Sequence, residues 1–114
     1  MTATLSTHVL DTSIGQPAEG VRVDLERITN GGIAISAGDG NTNADGRVGE
    51  LLHADIEFGR GTWRLTFHTG SYFASSARAS FFPTISITFE VTNDDHHHVP
   101  LLVSPFGYST YRGS

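Results

Sequence analysis

Apolar residues in this 114-residue chain recur at every second position, and no useful length of it shows the helical spacing of three and four. Alternation sends successive side chains to opposite faces of an extended strand, so one face can be buried while the other stays in water. The alternating stretches are 5–10, 21–28, 33–37, 46–51, 62–69, 84–92, 97–104 and 108–113. Between them lie Asp11-Thr12-Ser13-Ile14-Gly15-Gln16-Pro17, Asn30-Gly31-Gly32, Asn43-Ala44-Asp45-Gly46 and Asn93-Asp94-Asp95, residues that supply turn geometry cheaply. The segment 72–80 is the exception, since its Ala74-Ser75-Ser76-Ala77-Arg78-Ala79 core has fair helix propensity and predicts a short helix before Phe81-Phe82-Pro83. The expected class is all-β: a two-sheet β-sandwich of about eight short strands with one short helix.

Composition agrees with a thin sandwich. The hydrophobic fraction is 38%, with 13 glycines and one methionine, which suits strands and turns better than a helical bundle. The length fits one domain, 1–114, with one modest core, and an oligomer would add buried area. Trp63, Leu65, Phe67, Phe81, Phe82 and Phe89 are the expected aromatic and aliphatic core. All seven basic residues are arginines, scattered among twelve carboxylates, and the formal net charge is -5. A phosphate-tracking protein needs a basic face, so nucleic acid is excluded as a partner. Without cysteine there is no disulfide, thiolate nucleophile or cysteine-bound zinc. The start Met1-Thr2-Ala3-Thr4-Leu5 lacks a basic and an apolar leader region, and no segment approaches the roughly 20 apolar residues of a membrane span. The ending Arg112-Gly113-Ser114 is not a peroxisomal address, and a cytoplasmic protein with no membrane partner is expected.

Six histidines are the next feature. Taken alone, His8 in the middle of a strand is a rim residue, and His53 and His68 are surface or loop residues. Arg47, just after an Asn-Ala-Asp-Gly turn, admits a weak surface pairing with Asp45 or Glu50. It also admits use of its planar, permanently charged fork on the oxygens of a flat anion. His96-His97-His98 resembles a metal cluster by composition, but an extended strand points His97 away from its two neighbours and no carboxylate or cysteine spacing completes a site. No metal is expected, and His96 is left as a supporting group. Alternation groups His98 with Pro100 and Leu102, and Ser109 with Tyr111 and Gly113. A hairpin through Ser104-Pro105-Phe106-Gly107 would bring His98 close to the end of the chain.

Three separated blocks then combine: Leu5-Ser6-Thr7-His8-Val9-Leu10-Asp11, Thr42-Asn43-Ala44-Asp45-Gly46-Arg47, and the closing run from His98 through Val99-Pro100-Leu101-Leu102-Val103-Ser104-Pro105-Phe106-Gly107-Tyr108-Ser109-Thr110 to Tyr111-Arg112-Gly113-Ser114. In this order they resemble the signatures of the 5-hydroxyisourate hydrolases, the transthyretin-related purine-pathway enzymes. A Thr-x-x-Asp-Gly turn is common by itself, and the conjunction carries the specificity. His97 departs from the family pattern, which usually places another residue between the two histidines.

The resemblance implies a transthyretin-like fold and hydrolysis of 5-hydroxyisourate to 2-oxo-4-hydroxy-4-carboxy-5-ureidoimidazoline in urate degradation. It implies catalytic roles for His8, Arg47 and His98, and substrate binding by His8, Arg47, Tyr111 and Ser114. It implies histidine-activated water with no cofactor or metal, a small purine-derived substrate, and a homotetramer, a dimer of dimers with active sites at the dimer–dimer interface. The rival from another class is a non-catalytic small-molecule carrier of the transthyretin type, which has no evident use for two histidines and an arginine in its channel. An adhesion or assembly module leaves all three blocks unexplained.

Overall fold

A computed structural model of the chain describes residues 3–114; Met1 and Thr2, the start of the segment expected to lack a leader, lie outside them. The alternating segments form β1 (Thr4–Asp11), β2 (Gln16–Pro17), β3 (Arg22–Ile28), β4 (Ala34–Asn41), β5 (Gly61–Phe67), β6 (Ile85–Val91), β7 (His96–Ser104) and β8 (Gly107–Thr110), with α1 (Thr69–Ser75) between β5 and β6. They make two four-stranded sheets, ordered β2-β1-β7-β8 and β4-β3-β5-β6. β1 and β7 are parallel neighbours at the centre of the first sheet, with Ser6 beside His98 and His8 beside Pro100. The β7–β8 pair is the expected hairpin, closing at Ser104 opposite Gly107.

The two inner faces meet in one core. Thr7, Val9, His97, Val99, Leu101 and Val103 come from the first sheet, and Val23, Leu25, Trp63, Leu65, Phe67 and Ile85 from the second; all are buried. Burying a side chain such as Leu65 contributes about 1.5–3 kcal/mol, and Leu65→Ala would cost about 2–5 kcal/mol once the cavity is counted. Phe82 and Phe89 pack against this core, whereas Phe81, expected inside, is 71% exposed. Its backbone N–H is instead spent on the Pro105 carbonyl at 2.8 Å, fixing Phe81 at a loop crossing outside the sandwich. His68 half-emerges from the second sheet and pairs with Asp24 at 2.7 Å, and no helix among the described residues is long and apolar enough to cross a membrane.

Three expected elements are placed differently. Residues 46–51 form no strand, because this segment crosses from one sheet to the other: it touches the first through an isolated bridge between His8 and Arg47, and the second through one between Gly38 and Leu52. Gln16 and Pro17, read as turn, pair with Asp11 and Leu10 as a short edge strand, where proline's missing N–H costs nothing. The helix occupies Thr69–Ser75 rather than 72–80, because its buried residues are Thr69 and Phe73. Beyond it Ala77 turns into the left-handed region at φ 58, directing Arg78 back onto the sheet.

That return is made by a buried carboxylate. Asp11, with no side-chain exposure, accepts hydrogen bonds from Tyr72 Oη at 2.8 Å, Arg78 Nη2 at 2.9 Å and the Ser13 amide and hydroxyl at 3.0 and 2.5 Å. Burial acts to raise its pKa, and the bonds from Ser13, Tyr72 and Arg78 outweigh it, leaving the carboxyl below its ordinary 3.8.

Candidate active site

On the outer face of the first sheet, alternation leaves Ser6 and His8 of β1 beside His96 and His98 of β7, while His97 turns inward. His97 is 3% exposed, with its ring edge-on to Phe58 at 6.1 Å between centroids, and its Nδ1 is buried without a hydrogen-bond partner. The histidine run is therefore divided by the sheet itself, as strand geometry requires. Among the described residues no group of three or more His, Asp or Glu is placed to hold a metal.

Arg47 is delivered to His8 by a tight turn. Asn43 Oδ1 accepts the amides of Asp45 and Arg47 at 2.9 and 3.1 Å, and the Gly46 carbonyl accepts the Val9 amide at 2.8 Å. Gly46 has φ +77, and a Cβ there would lie 2.4 Å from the Val9 carbonyl oxygen and 3.1 Å from His8 Cδ2, so only glycine lets the turn lie against β1. Arg47 is exposed, and among the described residues its guanidinium has neither Asp45 nor Glu50 as an ion-pair partner. Its charge is felt at His98, where it acts to lower the imidazole pKa.

The chain end closes the other side. Gly113 bridges His98, donating its amide to the His98 carbonyl at 2.8 Å, and its Cα packs so closely on the imidazole that a Cβ would fall 2.4 Å from His98 Cδ2. The next residue, Ser114, is exposed. Burial, together with the charges of Arg47, His8 and His96, lowers the His98 pKa from its ordinary 6.5 against the opposing influence of the Ser6 backbone. His98 is thus a neutral imidazole near pH 7, suited to accepting a proton.

Behind it runs a line of polar contacts that sequence reading did not identify. Ser6 Oγ lies 2.7 Å from His98 Nδ1 and 2.8 Å from His96 Nε2, and Thr4 Oγ1 lies 2.6 Å from His96 Nδ1. The signal was partly present, since Thr4, Ser6 and His8 share one face of their strand and His96 and His98 one face of theirs, but only the parallel register sets them side by side. A recess of about 390 Å³ opens next to this line, walled by Leu5, Ser6, Thr7 and the crossing segment Val48–Leu52.

The structure thus gathers His8, Arg47, His98 and the end of the chain, but Tyr111 is elsewhere. β8 stops at Thr110, and Tyr111, 60% exposed, borders a separate cleft of about 300 Å³ between the sheet edges, with Phe89, His97 and Val99. No hydrogen bond joins it to the histidines among the described residues.

Sheet order, the helix after β5 and a polar outer face centred on β1 and β7 define a transthyretin-like two-sheet sandwich. The chain belongs to the HIUase/Transthyretin family, which it matches over residues 5–113. It is 44% identical to 5-hydroxyisourate hydrolase 2 of Rhizobium meliloti over 96% of this chain and 95% of that protein. Among solved structures it is similar to Klebsiella pneumoniae 5-hydroxyisourate hydrolase, with TM-score 0.80 and 44% identity over 98% of this chain and 94% of that one. Sea bream transthyretin in complex with thyroxine superposes with TM-score 0.89 at 26% identity, over 97% of this chain and 95% of that one.

Proposed function

We propose that this chain, a single domain acting in the cytoplasm, hydrolyses 5-hydroxyisourate in urate degradation, adding water at a ring carbonyl and opening the six-membered ring. The product is 2-oxo-4-hydroxy-4-carboxy-5-ureidoimidazoline. The observation that carries this reading is the meeting of His8, Arg47 and His98 on one face, in a chain whose full-length relative is named for that reaction. A neutral imidazole takes a proton from water as the oxygen attacks the carbonyl carbon. Arg47, charged and without a carboxylate partner among the described residues, stabilises the negative charge that develops on the substrate oxygen. The proton then passes to the departing ring nitrogen, so the step balances without a cofactor or metal.

Tyr111 and Ser114 hydrogen-bond the flat ring in this reading. Because Tyr111 borders the edge cleft in a single chain, its contact requires its exposed side chain to turn toward the site while Gly113 stays bonded to His98. The site lies open on an outer sheet face. We propose a homotetramer, a dimer of dimers whose dimer–dimer interface walls it off from water. A carrier would share this backbone, and the side chains decide between them: two imidazoles beside a guanidinium are groups for moving protons and stabilising an anion.

The test is the ultraviolet decay of freshly made 5-hydroxyisourate with and without protein, before and after exhaustive chelation. Accelerated decay that survives chelation is expected. No acceleration would remove the hydrolytic reading, and loss on chelation with recovery on adding zinc would remove the metal-free mechanism.

A further inference from the structure

The line Thr4–His96–Ser6–His98 has one property that a set of isolated contacts lacks. Ser6 has a single hydroxyl proton and lies within hydrogen-bond distance of two imidazole nitrogens, His98 Nδ1 at 2.7 Å and His96 Nε2 at 2.8 Å. It can donate to only one of them. The protonation of the two rings is therefore coupled through that hydroxyl.

Two directions satisfy the whole line. In the first, His98 donates from Nδ1 to Ser6, Ser6 donates to His96 Nε2, and His96 donates from Nδ1 to Thr4 Oγ1, 2.6 Å away. His98 Nε2 then carries a free lone pair. In the second, every bond is reversed, Ser6 donates to His98 Nδ1, and His98 Nε2 carries a hydrogen and cannot act as a base. With Nδ1 committed to Ser6, Nε2 is the nitrogen left for water.

We propose that His96 is a positioning residue which, acting through Ser6, holds His98 in the tautomer protonated at Nδ1 and so makes His98 Nε2 the base. This rests on the hydrolytic reading and deepens it by choosing between the two histidines. His8 has no comparable partner: among the described residues its ring makes no side-chain hydrogen bond that would fix a tautomer. During reaction the relay holds its protons in place, while Nε2 takes one from water and returns it to the leaving nitrogen. His96 is exposed; besides the effect of its charge on His98, it reaches that ring through the Ser6 hydroxyl.

The experiment has two arms. Nitrogen-15 spectra of histidine-labelled protein at neutral pH report the tautomer without any substrate: His98 protonated at Nδ1 is expected in the parent protein and in His96→Gln, whose amide oxygen can still accept the Ser6 hydroxyl, but not in His96→Ala. In the decay assay, His96→Ala should lower kcat about tenfold, below the 10²–10⁴ of losing a general base outright, with KM changed less than about threefold, and His96→Gln should recover most of it. Ser6→Ala with His96→Ala should be no slower than Ser6→Ala alone, because the two act as a unit. A parent His98 protonated at Nε2, or a His96→Ala protein with parental tautomer and kcat, overturns the proposal. If the parent protein does not accelerate decay, the hydrolytic reading and the naming of His98 as the base both fall, while the spectra still decide whether His96 sets the tautomer.

Discussion

Replacing Gly113 by alanine should disable the protein without unfolding it. Gly113 lies outside the left-handed region, as only five other glycines have positive φ, so alanine meets no backbone penalty there. The obstacle is contact. An added Cβ would lie 2.4 Å from His98 Cδ2, 3.1 Å from Cγ and 3.3 Å from its Cβ. Carbon atoms settle at about 3.5 Å, so the imidazole must retreat by about 1 Å, and misplacing a reacting group by that much costs about 10²-fold. The residue sits near the chain end and outside the core, so folding stability should change by no more than about 1 kcal/mol. Gly59→Ala is the matched control, since its added Cβ meets nothing within 4 Å and its φ is not positive. Initial rates of 5-hydroxyisourate decay, read beside circular dichroism and thermal melts, separate the two. A folded Gly113→Ala protein with the parent rate would refute the claim that the chain end fixes the catalytic imidazole.

The other predictions concern charge and burial. His8→Ala and His98→Ala should each abolish most activity while the melts stay near the parent; His97→Ala should leave the site intact but melt lower, as the ring packs in the core against Phe58, and an inactive, stable His97→Ala would overturn that division. Arg47→Glu should slow turnover by about 10² or more. Because the Arg47 charge helps to lower the His98 pKa, the acidic limb of kcat/KM, lying below 6.5 in the parent, should also move to higher pH; an unmoved limb would separate Arg47 from His98. Arg78→Ala leaves Asp11 buried with one fewer partner and should cost about 2–3 kcal/mol. Asp11 is depressed below 3.8 in the folded state, so its contribution is full above that value and fades as pH falls through the folded pKa. The Arg78→Ala acid midpoint should accordingly rise, and an unchanged one would show that Ser13 and Tyr72 suffice.

The sequence by itself determined the all-β class, because alternation is a local property that each strand carries whatever its partners are. It also determined the split of the histidine run, with His97 on one face and His96 and His98 on the other, for the same reason. His8, Arg47 and His98 were legible as a set only through resemblance, since no spacing within the chain joins residues from β1, a turn and β7. Tertiary structure decided the rest. The parallel register of β1 and β7 set Ser6 between His96 and His98, contacts across 90 and 92 positions that no periodicity encodes. The need to pass from one sheet to the other turned 46–51 from strand into crossing, and the burial of Thr69 and Phe73 placed the helix at Thr69–Ser75. At the terminus, β8 ends at Thr110 and Tyr111 borders the edge cleft, a placement that the strand pattern alone does not give. Strand faces follow from the order of residues, whereas the neighbours across a sheet and the points where strands stop are set by packing between distant segments.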